Sequence, residues 1–204
     1  MTVQNPELRR HLEREGLAVL SFAPIQADND WFDASQVLAA GTGTPKVYTL
    51  TIVVGGLTRA YCPGYPVVPV IVVTDASGDN FASVVTTLTG VDQFGVGYSE
   101  TVTATNSSGT WTGTALRACL TLSGAVTVVT CASGDVTASD TQIIGFAKTV
   151  GLTRKITATS ELIAKTFDGA ADAGTLSVPY NTYVVAGTPN SAKLLTLCIR
   201  PKVR

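Results

Sequence analysis

Nucleophilic catalysis by serine or cysteine needs a general base beside the nucleophile, and histidine is the usual one. This 204-residue chain has a single histidine, His11. It falls on a short predicted helix, where solvation accounts for it. No Gly-x-Ser-x-Gly elbow occurs. Glycosidase chemistry needs two carboxylates across a cleft. The candidate acids are few: Asp92, Glu100, Asp135, Asp140, Glu161, Asp168 and Asp172. Most belong to turn motifs, where aspartate bonds its own backbone. Glu100 instead opens a predicted strand, a place for an edge charge that discourages wrong pairing. No catalytic residue is assigned, and the chain is expected not to be an enzyme.

Metal and phosphate motifs fail on spacing. Asp28-x-Asp30-x-x-Asp33 resembles a calcium loop, but an EF-hand needs Gly and Glu where Asp33 and Ala39 stand. A helix cap is the better reading. Gly41-Thr42-Gly43-Thr44-Pro45-Lys46 lacks the Gly-Lys-Ser/Thr ending of a P-loop. Cys62, Cys119, Cys131 and Cys198 match no zinc pattern and read as small buried hydrophobes. Cys119 and Cys131 flank a predicted hairpin turning near Ser123-Gly124. Asn106-Ser107-Ser108 matches a glycosylation acceptor, but no export signal precedes it. No metal and no cofactor is assigned.

Charged residues make up only 14% of the chain and the net charge is −1. The one basic cluster is the tail from Arg200 to Arg204, so a phosphate-neutralising nucleic-acid surface is not expected. The longest apolar run, 67–73, is too short to span a bilayer, so no membrane is expected either. Threonine is frequent, with 30 residues. It favours strands and keeps a strand face polar without charge. A surface this poor in charge suits a protein covered by partners.

The elements that must position these residues read mostly as strands. Residues 5–15 predict a short helix, with Asn5 as N-cap, Pro6 at the first helical position and Gly16 as terminator. Leu8 and Leu12 share one face of it. Residues 17–22 predict a strand, 31–40 a second short helix and 41–45 a linker. Strands follow over 47–54, 67–73, 83–88, 98–105, 110–122, 125–130, 141–146, 175–185 and 193–199. Turn signals recur about every 8–12 residues, the rhythm of sandwiches and barrels. The expected fold is all-β: an antiparallel sandwich or jelly-roll-like domain at 46–204, after an N-terminal arm at 1–45 carrying the short helix. Trp31 and Phe32, large aromatics outside the main strand array, are candidate partner anchors with Leu8 and Leu12.

Gly90 to Gly95, containing Asp92-Gln93-Phe94-Gly95, is followed by Glu100-Thr101-Val102-Thr103. This resembles a pattern in tailed-bacteriophage virion structural proteins, where a Gly-x-Asp-Gln-Phe-Gly turn precedes a Glu-Thr-x-Thr strand. Ile144-Gly145-Phe146 and Val150-Gly151-Leu152 resemble a later segment of that pattern, with Thr153 where proline is usual. The resemblance covers about 67–175. It implies a capsid decoration or cement protein of the virion, assembled in the host cytoplasm and without enzymatic activity. Its implied partners are the major capsid protein and further copies of itself, as a homotrimer. Alternatives are a tail, neck or fibre subunit, or a surface carbohydrate-binding module using Trp111, Tyr98 or Tyr180.

Overall fold

A computed structural model of the chain describes residues 17–38, 47–53, 62–76, 81–105, 109–131 and 140–200. The helix expected at 5–15, with Leu8, Leu12 and His11, lies outside them. So do the linker at 41–45, Asp135, the 106–108 triplet and the tail after Arg200. The fold class is all-β, with antiparallel, sandwich-like sheets. In chain order the strands are β1 Ala18–Phe22, β2 Asp28–Val37, β3 Val47–Val53, β4 Val67–Asp75, β5 Phe81–Asp92, β6 Gly97–Thr105 and β7 Gly109–Thr114. They continue as β8 Cys119–Cys131, β9 Thr141–Gly151, β10 Leu162–Phe167, β11 Ala170–Ala171, β12 Thr175–Ser177, β13 Thr182–Val184 and β14 Leu195–Ile199. The chain divides into two compact units, Asp28–Ala147 and Met1–Ala27 with Lys148–Arg204.

In the Asp28–Ala147 unit, β8 is the spine. It pairs with β5 along its length and with β3 from Val47↔Thr130 to Val53↔Gly124. The hairpin expected at Ser123-Gly124 is absent, because β8 runs through these residues as one 13-residue strand. The Ser-Gly turn signal makes a bulge instead. Thr89 pairs with Gly124 and Gly90 with Leu122, so Ser123 has no opposite number. The bulge shifts the inward parity, from Leu122 on one side to Ala125, Thr127 and Val129 on the other. Gly90 permits the close approach, since a Cβ there would lie 2.0 Å from the Thr121 carbonyl oxygen. The chain break expected in the hairpin occurs earlier, between β7 and β8.

β4 is apolar and buried along nearly all its length, as the continuous run 67–73 predicts for a strand covered on both faces. Pro69, which has no N–H, precedes the Val70–Asp75 stretch that pairs with β7. Its carbonyl accepts the N–H of Ala115 at 2.9 Å. On β5, Val84, Thr86 and Leu88 point inward; on β6, Tyr98, Val102 and Ala104 do so. The buried polar centre is a triad. Thr86 Oγ1 donates to Gln142 Oε1 at 3.0 Å, and Gln142 Nε2 donates to Thr127 Oγ1 at 3.0 Å.

The helix expected over 31–40 is a strand, β2, on β9. Two register shifts interrupt the pairing, and they set Phe32 and Asp33 side by side as buried residues. Gly145 lets the backbones close up, because a Cβ there would lie 1.9 Å from the Asp28 carbonyl oxygen. The helix-cap reading of Asp28, Asp30 and Asp33 therefore fails, because all three lie within a strand, β2.

In the other unit, β14 lies between β1 and β10 in a four-stranded sheet ordered β1-β14-β10-β11. Leu195, Leu197 and Ile199 are fully buried. β1 pairs with β14 from Ala18↔Ile199 to Phe22↔Leu195, joining segments far apart in the sequence. The boundaries between the units fall after Ala27 and Ala147. The hairpin β12–β13 pairs with the last residues of β9, from Thr182↔Gly151 to Val184↔Thr149.

The triad gives a direct test. Thr127→Val keeps the shape but leaves the Gln142 amide without its acceptor, and is expected to destabilise the protein by about 1–3 kcal/mol in urea unfolding. Thr101→Val, on an exposed position, is expected to stay within about 0.5 kcal/mol of the parent.

Candidate interaction surface

The residues of the Gly90–Gly95 motif form the end of β5 and its tight connection to β6. Asp92 builds the turn. Its Oδ1 accepts the N–H groups of Phe94 at 2.8 Å and Val96 at 2.9 Å. Its own N–H donates to the Val96 carbonyl at 2.7 Å, and its carbonyl accepts from Gly95 at 3.1 Å. Gly95 has φ +80°, a conformation glycine adopts without strain. Gln93 is buried, whereas Phe94 is 46% and Val96 62% exposed. The turn therefore presents two apolar side chains on a backbone fixed by its own hydrogen bonds.

The neighbouring loop between β7 and β8 adds a third. Leu116 is 54% exposed, and Glu100 holds the loop in place. The Glu100 carboxylate accepts the N–H groups of Leu116 and, at 3.0 Å, Arg117. It also accepts the Tyr98 hydroxyl at 3.3 Å and pairs with Arg117 Nε at 3.5 Å. The Arg117 guanidinium donates to the Ser99 carbonyl and lies 5.2 Å from the Tyr98 ring centre. Burial, then the Glu100 charge, pushes the Tyr98 hydroxyl well above its ordinary range, so it remains a neutral donor. Glu100 is thus a loop anchor rather than an edge guard. Since Asp92 pairs with Cys119 and Gly97 with Val91, the turn and the loop share one end of this sheet.

Other acids do similar work. Asp140 Oδ1 accepts the Ala76 N–H at 2.9 Å. Asp172 Oδ2 accepts the Tyr183 hydroxyl at 2.6 Å and the Ala186 N–H at 3.3 Å. Glu161 Oε1 accepts the Thr157 N–H at 3.3 Å. Asp168, with φ 55°, occupies a turn and lies 3.8 Å from Lys193 Nζ. Among the described residues, no group of three or more His, Cys, Asp or Glu side chains is arranged to hold a metal.

The candidate anchors fare differently. Phe32 is fully buried in its own unit and has no surface to offer, because the β2 bulge turns it inward. Trp31 is half-buried, edge-on to Phe146 with ring centres 5.5 Å apart. Of the aromatics considered for sugar stacking, Tyr98 is buried and Trp111 lies over Gly113, its ring 1.9 Å from where a Cβ would stand. Tyr180 is 37% exposed. Phe94, Val96 and Leu116 are the surface residues that sequence reasoning passed over. Their signal was an aromatic inside an otherwise polar turn. No protein-family model matches this chain, and no curated protein or solved structure matches it.

Asp33 of β2 is buried. Its Oδ1 accepts from Gln36 Nε2 at 3.2 Å, while its buried Oδ2 has no donor among the described residues. Burial pushes its carboxyl above the ordinary value near 3.8, and the Gln36 bond offsets only part of this. The folded protein therefore binds this proton more tightly than the unfolded chain. That contribution is fully present below the ordinary value and is lost as pH rises through the raised one. Asp33→Asn removes the titration. Its stability relative to the parent is expected to be level below about pH 3.5 and to climb at higher pH. Paired unfolding curves across pH check this; a difference independent of pH is the contrary result.

Proposed function

We propose that this chain is a non-enzymatic structural protein of a tailed-phage particle, binding the outside of the major capsid lattice as a cement. The observation that carries the reading is the β5–β6 turn. The residues behind the family resemblance fold into a self-braced tip that exposes Phe94 and Val96. Leu116 stands at the same end of the sheet on a loop held by Glu100. The carboxylates of Asp92, Glu100, Asp140, Glu161 and Asp172 are engaged with backbone amides, which favours a scaffold over a reaction centre.

The mechanism is additive contact. Each apolar side chain fully buried against a capsid subunit contributes about 1.5–3 kcal/mol before ordering costs. One tip is a weak attachment. Several tips joined in one oligomer, a trimer at a threefold position, raise the effective concentration of each for its site. The lattice then resists rupture because neighbouring capsid subunits are tied through one assembly.

Mixing purified protein with undecorated capsids tests this. Saturable occupancy and a higher rupture temperature are expected. Phe94→Ser combined with Val96→Ser is expected to weaken occupancy by at least about tenfold while leaving the unfolding midpoint within a few degrees. Absence of binding, or binding without any change in rupture, refutes the cement role. Labelling confined to the tail or neck of intact particles would relocate the protein.

A further inference from the structure

We propose that Cys62 and Cys119 are an oxidisable pair, closed by a low-molecular-weight disulfide into an intramolecular bond that ties the segment before β4 to the start of β8. The inference stands independently of the cement reading. The two sulfurs are 3.8 Å apart across 57 positions of sequence. Their backbones already meet, since the Cys62 N–H donates to the Leu120 carbonyl at 3.2 Å and Val67 pairs with Cys119. The Cys62 thiol points at the Cys119 carbonyl oxygen, 3.0 Å away. A disulfide needs the sulfurs at about 2.05 Å. Side-chain rotation and a small shift close the gap, because the hydrogen bond already fixes the separation of the two chains.

The two thiols differ in a way that orders the steps. Cys62 is partly buried and Cys119 fully buried. The hydrogen bond with Cys62, then burial, pushes the Cys119 thiol well above its ordinary range, so it waits as the protonated partner. Cys62 therefore meets the reagent first. Its thiolate attacks one sulfur of oxidised glutathione; that S–S bond breaks, and one glutathione thiolate leaves. Cys119 then gives up its proton as its sulfur attacks the Cys62 sulfur, and the second glutathione leaves as thiolate. Two protein thiols lose two electrons in all. One glutathione disulfide gains them and carries away the two protons as two thiols.

A bond across 57 residues restricts the unfolded chain far more than the folded one. It also anchors the segment around Gly64 next to the loop that carries Leu116. In a reducing compartment the pair stays open, and in an oxidising one it closes.

The test uses the full chain, with oxidised glutathione as the reagent. After treatment and removal of glutathione, the protein is expected to be about 2 Da lighter, with the Cys62 and Cys119 peptides joined. Its unfolding midpoint is expected to rise by about 5–15 °C, reversibly with dithiothreitol. Cys62→Ser and, separately, Cys119→Ala are each expected to lose the linked peptide and the shift. Cys62→Ser replaces a partly buried group with one of similar size, so a folding failure in the Cys119 variant does not remove the test. A glutathione adduct persisting on Cys62, a link to another cysteine, or unchanged thiols after prolonged treatment would each overturn the assignment.

Discussion

The register of β5 against β8 is the constraint on which the Asp28–Ala147 unit depends. Strand side chains alternate, so a slip of one residue would send Val84, Thr86 and Leu88 outward and Val85 and Thr87 inward. Apolar burial alone discriminates weakly here, because Val85 and Val84 are interchangeable in chemistry. The buried hydroxyls decide it. Thr86 sits opposite Thr127, 3.1 Å between oxygens, and both meet the Gln142 amide from β9. A slip of one residue takes Thr86 out of the triad and leaves the buried Thr127 and Gln142 short of a partner, and a buried group left unsatisfied costs about 1–3 kcal/mol. The triad adds little net stability, yet it makes the alternatives expensive and joins three strands in one arrangement.

The same logic governs the connections. A β-protein with short turns leaves many loop amides without ladder partners, and each buried one is costly. Here carboxylates and side-chain amides supply the acceptors. Asp92 serves the β5–β6 turn and Glu100 the β7–β8 loop. In the other unit Asn181, at φ 56°, accepts the Ile156 N–H at 2.7 Å and donates to the carbonyls of Leu152 and Arg154. Asn190 accepts from Ala192 and Lys193 at 3.1 and 3.0 Å. Among the described residues, the carboxylates of Asp92, Glu100, Asp140, Glu161 and Asp172 thus shape backbone. The acids that looked available for chemistry in the sequence are mostly these.

This explains what the sequence made legible. Period-two alternation and continuous valine runs announced β3, β4, β6 and β14 close to their observed limits. Those signals are local and survive any topology. The misreadings came where a local signal had two outcomes. Ser123-Gly124 suits a hairpin turn or a bulge, and only the neighbouring strand, with Gly90 opposite, decides for the bulge. Asp30-Trp31-Phe32-Asp33 suits a capped helix or a bulged strand, and Gly145 on β9 decides for the strand. The pairing of β1 with β14, and the meeting of Cys62 with Cys119, depend on long-range order that no single segment carries. Phe94 was legible as a turn residue but not as surface, because its exposure follows from Asp92 fixing the turn's backbone.

That fixed backbone matters for the role proposed. An apolar side chain on a loose loop loses much of its contact energy to ordering the loop on binding. On this turn, Asp92 and Gly95 have already set the conformation, so binding immobilises little beyond the rotamers of Phe94 and Val96. The Asp92 carboxylate at the tip is engaged with backbone amides, and Glu100 and Arg117 with each other and with backbone groups, so a partner's approach need not strip water from unpaired ions. A small apolar tip with those properties is a weak site alone and an effective one in many copies. The proposed capsid lattice would provide such copies, and a charge-poor chain rich in threonine would present them without repelling its neighbours.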